Sequence, residues 1–135
     1  MSAALITASV LGLAGLIFSA TIGFVAASSV EVSRHISVGI FFTLITLLAH
    51  SMTMFYLIGK GKAVREAVTE GNLSPELYAT VVRARKPVFS ISTVAMLLTM
   101  TTAIIGGGVD TGVLPTVIHS MFAVSAIATN VMALR

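Results

Sequence analysis

Four apolar runs, 5–27, 37–58, 88–105 and 115–134, contain no Asp, Glu, Lys or Arg between them. Each is close to the roughly 20 residues a helix needs to cross a bilayer. That pattern constrains the fold more than any other feature of the chain. A soluble domain carries about 25% charged residues, whereas this chain of 135 residues has 10% charged and 56% apolar. So much apolar surface cannot be hidden inside one domain of this size, so the expected solvent is lipid. The first run has no basic segment before it, and it is longer than the 7–15 residues of a signal-peptide core. It reads as a span. The expected fold is an all-α integral membrane four-helix bundle, a single domain over residues 1–135.

The connection 59–87 sets the expected orientation. It holds Lys60, Lys62, Arg65, Arg83, Arg85 and Lys86 against Glu66, Glu70 and Glu76, a net of +3. Glu31 and Arg34 cancel near the first connection, and Asp110 stands alone in the third. The positive-inside rule places 59–87 in the cytoplasm and both termini with it. A bacterial inner (plasma) membrane suits this layout. The connection is not coil: residues 63–70 are good helix formers, Gly71-Asn72 is a stop, and Ser74-Pro75-Glu76 is a start. Spans two and three are therefore expected to extend into a cytoplasmic helical hairpin with its tip at 71–73. Ser28 or Ser29 is expected to cap the second helix, with Glu31 in its first turn. The triple glycine 106–108 is expected to end the third.

Small residues mark a packing face on the first span: Gly15, Ser19, Gly23 and Ala27 recur every four residues, beside Ala4, Ala8 and Gly12. Such rows let helix backbones approach closely in lipid. Internal packing is the expected use, with a homodimer face as the other.

Polar stripes mark the interior of the even-numbered spans. Thr43, Thr46, His50 and Thr53 are spaced three, four and three, on one helical face. In the fourth span Thr116, His119, Ala123, Ala126 and Asn130 share a face. Ionisable or amide side chains facing lipid are costly, so both faces should point inward. The tripeptide His50-Ser51-Met52 recurs as His119-Ser120-Met121, which suggests an internal duplication, although the surrounding halves do not align.

His35, His50 and His119 are the candidate cofactor residues, as axial ligands of a b-type haem. At 1.5 Å per residue His50 lies roughly 20 Å below the outer boundary and His119 about 6 Å below it. One haem between those two is thus disfavoured, while His35 and His119 lie closer in depth. A structural use, in which each histidine bonds to a neighbouring helix, competes with ligation. Met96 and Met100 with the histidines raise copper, a weaker reading because methionine is an ordinary filler of apolar interiors. In span number and size the chain resembles small multidrug transporters and the membrane anchors of succinate dehydrogenase. No span here contains the intramembrane acid such transporters use. No nucleotide, protease or Ser-His-acid motif occurs, and the basic residues point to lipid headgroups rather than nucleic acid. The expected function is a non-catalytic accessory or anchor subunit of a larger membrane complex, with a membrane-protein partner or a homo-oligomer. A haem-binding electron-transfer subunit and a small transporter are the alternatives.

Overall fold

The computed structural model describes residues 2–134, and these form four helices: α1 (Ser2–Val25), α2 (Ser29–Glu70), α3 (Glu76–Asp110) and α4 (Thr116–Ala133). All four are long and apolar enough to cross a membrane. Short connections make each helix antiparallel to the next. α1 packs on α2, α2 on α3 and α3 on α4, while α1 and α4 touch least of the neighbouring pairs. Two connections, 26–28 and 111–115, lie at one end of the bundle, here called the loop end.

The helix boundaries follow from local chemistry. Ser28 is the N-cap of α2: its Oγ accepts from the Glu31 N–H, and the Glu31 carboxylate accepts from the Ser28 N–H at 2.9 Å. This reciprocal capping box satisfies two donors that the helix itself cannot. At 42 residues, α2 is about 63 Å long, well beyond a hydrocarbon core of about 30 Å. It stops where Asn72 enters the left-handed region at φ 49°. Leu73 N–H then bonds to Val68 O and Asn72 N–H to Thr69 O, the paired closure of a Schellman motif. α3 begins at the expected start signal and runs unbroken through Pro87.

One boundary differs from the sequence expectation. The triple glycine does not end α3; the helix continues to Asp110 and closes by a second Schellman motif with Gly112 at φ 73°. Glycine weakens a helix in water, but here Gly106 and Gly108 let side chains of the next segment approach closely. A Cβ on Gly106 would lie 3.1 Å from His119 Cε1, and one on Gly108 would lie 2.8 Å from Leu114 Cδ1.

The small-residue row on α1 is an internal contact face. Gly12 lies against Thr46, Gly23 against His35, and the ring of Phe42 occupies the space a Cβ on Gly15 would need. The interior as a whole is small and polar. Among the described residues its buried apolar side chains are Leu5, Ala49, Ala95 and Ala126, beside buried Ser19, Thr43, Thr46, His50, Ser92, Thr99 and Asn130. The large apolar side chains point outward, among them Phe24, Phe41, Leu44, Phe55 and Ile104.

Candidate functional site

Two threonines of the α2 stripe bond back to their own helix. Thr46 Oγ1 donates to Phe42 O at 2.8 Å, and Thr53 Oγ1 donates to Ala49 O at 2.9 Å. Thr43 and Thr46 are buried and Thr53 is half-buried. They line the interior without claiming a partner on another helix.

His50 does claim one. Its Nε2 lies 2.8 Å from Asn130 Oδ1 on α4, across a diagonal where the two backbones do not come close. Asn130 Nδ2 donates to Ala126 O at 2.8 Å and to Thr99 Oγ1 at 3.0 Å. A carbonyl can only accept, so the Asn130 amide group must face Ala126, and its Oδ1 must face His50. His50 Nε2 therefore carries the hydrogen and donates it. Thr99 Oγ1 in turn donates to Ala95 O at 2.7 Å. The chain of bonds runs from α2 through α4 to α3 and ends on a backbone carbonyl. An axial haem ligand needs a lone pair, and this nitrogen has none to give. The residues around His50 do not fit a haem held through Nε2.

His35 and His119 come together instead, near the loop end. Their ring centroids are 6.0 Å apart in an edge-to-face arrangement. His35 Nδ1 lies 2.8 Å from the Ser19 carbonyl oxygen, so Nδ1 is the donor and the neutral ring offers Nε2 as an acceptor. The Thr102 backbone faces His119, yet the buried His119 Nδ1 makes no hydrogen bond. Both rings border a cavity of about 430 Å³ that all four helices line. Met96 and Met100, by contrast, border a separate outward groove with Met54 and Phe55, where no histidine is present.

The two histidines belong to a repeated arrangement. Ser19-Ala20-Thr21-Ile22-Gly23 on α1 matches Thr102-Ala103-Ile104-Ile105-Gly106 on α3. In each half the glycine makes room for a histidine ring on the following helix, His35 or His119. Ser9 and Gly12 correspond in the same register to Ser92 and Ala95, and Thr46 on α2 corresponds to the buried Asn130 on α4. This repeated contact pairs His119 with His35, not with His50 as the shared tripeptide suggests. The short signal Ser/Thr-Ala-x-Ile-Gly was present in the sequence, but nothing there marks its carbonyl as the partner of a histidine. Comparisons with protein families, with characterised proteins and with solved structures find no match to this chain.

Proposed function

We propose that the protein is a multi-pass membrane protein that serves as a non-catalytic accessory or anchor subunit of a larger membrane complex. Its partition of residues supports the membrane reading: small and polar groups inside, large apolar groups outside. Helices in lipid gain from close packing and interhelical hydrogen bonds rather than from burying oil. The basic 59–87 segment faces the cytoplasm of a bacterial plasma membrane, with both termini.

The observation that carries the subunit reading is the hairpin beyond the apolar zone. Residues 59–70 of α2 and 76–87 of α3 continue as helix for about 18 Å and end in a closed turn. Gly61 is buried, and Arg85 packs across it while lying 6.0 Å from the Tyr78 ring. This strut carries charged flanks, yet its tip exposes Leu73 and Leu77, each about half accessible. We read these two exposed leucines, on an otherwise polar projection, as the contact for a partner protein. Extraction in mild detergent should recover the chain in an assembly larger than the bundle, and Leu73→Asp with Leu77→Asp should release it without unfolding. A lone chain on native extraction, unchanged by the substitutions, overturns the reading; an assembly of this chain only makes it a homo-oligomer.

A further inference from the structure

We infer that the loop-end cavity between His35 and His119 binds the ring of a lipophilic aromatic alcohol of the hydroquinone class, whose hydroxyl donates to His35 Nε2. Its size suits such a ligand. Small-molecule pockets run from about 300 to 1,000 Å³, and the cavity of about 430 Å³ is far larger than a bare ion. Among the described residues no group of three His, Cys, Asp or Glu side chains stands ready to complete a metal shell.

Its walls suit a flat ring. Gly23, Gly39, Gly106, Ala103 and Ala123 line it from all four helices, leaving apolar faces with few protruding atoms. Polar side chains also reach the cavity, among them Thr43, Thr102, Asp110 and Ser120, although most of its lining surface is apolar. The Ser19 carbonyl fixes the His35 tautomer, so Nε2 presents a lone pair that no other described group uses. That lone pair accepts from a hydroxyl and repels a carbonyl oxygen, so the reduced ring is favoured over the quinone. The His119 ring, edge-to-face with His35, closes the cavity on the α4 side. Entry is between α1 and α4, the loosest seam of the bundle. Access from lipid through that seam rests on the membrane reading, whereas binding does not depend on any partner subunit.

The test uses the purified full chain in detergent, titrated calorimetrically with a short-chain benzoquinol under argon and with its quinone. One quinol per chain is expected, bound about tenfold more tightly than the quinone, the worth of one well-placed hydrogen bond. His35→Phe should weaken quinol binding about tenfold and remove the preference. Ala123→Leu should narrow the cavity and weaken binding of both ring forms while leaving both histidines in place; thermal unfolding of each variant reports whether it is folded. Should His35→Phe not fold, His35→Gln, whose amide can donate to a quinone carbonyl as well as accept from a hydroxyl, should bind both forms and lose the preference. Absence of quinol binding, equal affinity for quinone and quinol, or an affinity untouched by Ala123→Leu overturns the inference. So does a Soret band in the wild-type protein that is lost in His35→Phe, which would assign the cavity to haem.

Discussion

Replacing Asn130 with Leu removes the middle of the His50–Asn130–Thr99 chain while keeping the branching of the side chain. Thr99 keeps its bond to Ala95 O, so the loss falls on His50 Nε2–H, 95% buried and left without an acceptor. Stranding one buried donor costs about 1–3 kcal/mol. His50→Leu strands Asn130 Oδ1 instead, at a similar cost. The double replacement strands neither, because only the net interhelical bond is lost, on average about 0.6 kcal/mol in membrane proteins. The single effects should therefore exceed the double effect when summed. We expect a coupling energy near 1.7 kcal/mol, the upper end of the range for such bonds, because both ends are buried. Reversible unfolding of the four proteins in mixed micelles measures it. Distant, independent sites add to within about 0.3–0.5 kcal/mol, so a coupling below that margin refutes the bonded chain. His50→Gln, which can still donate to Asn130, should recover most of what His50→Leu loses.

The α1 contact face makes Gly15→Leu and Gly23→Leu strongly destabilising, the second by displacing the His35 ring, while Leu16→Ala should cost less; thermal unfolding in detergent ranks the three. Ser28→Ala removes one side of the α2 capping box and should cost about 1 kcal/mol, whereas Glu76→Gln, which removes only the exposed Arg83 ion pair, should cost between about 0 and 1 kcal/mol. Single cysteines at Ser74 and at Val113 in this cysteine-free chain should react with an impermeant thiol reagent from opposite sides of the membrane, and labelling of both from one side overturns the topology. Val113 is used rather than Gly112, whose positive φ disfavours any side chain.

The length and periodicity of the apolar runs determined the four helices, and the expense of polar groups in an apolar surround determined which face of each turns inward. That is why Thr43, Thr46, His50 and Asn130 were legible as interior residues before any coordinates. Start and stop chemistry was legible too: Ser28 with Glu31, and Gly71-Asn72 ahead of Ser74-Pro75-Glu76, act through bonds spanning a few residues. The triple glycine misled because its low helix propensity is a property of exposed backbone. Gly106 and Gly108, packed against His119 and Leu114, gain from close approach. Only the tertiary structure decided the pairings. Periodicity fixes the angle of a side chain about its own helix axis, but not the axial offset between helices or which neighbour it meets. A hydrogen bond of 2.8 Å tolerates little error in that offset. Hence His50 meets Asn130, eighty residues away, and His35 meets His119, although the sequence's plainest repeat pairs His119 with His50.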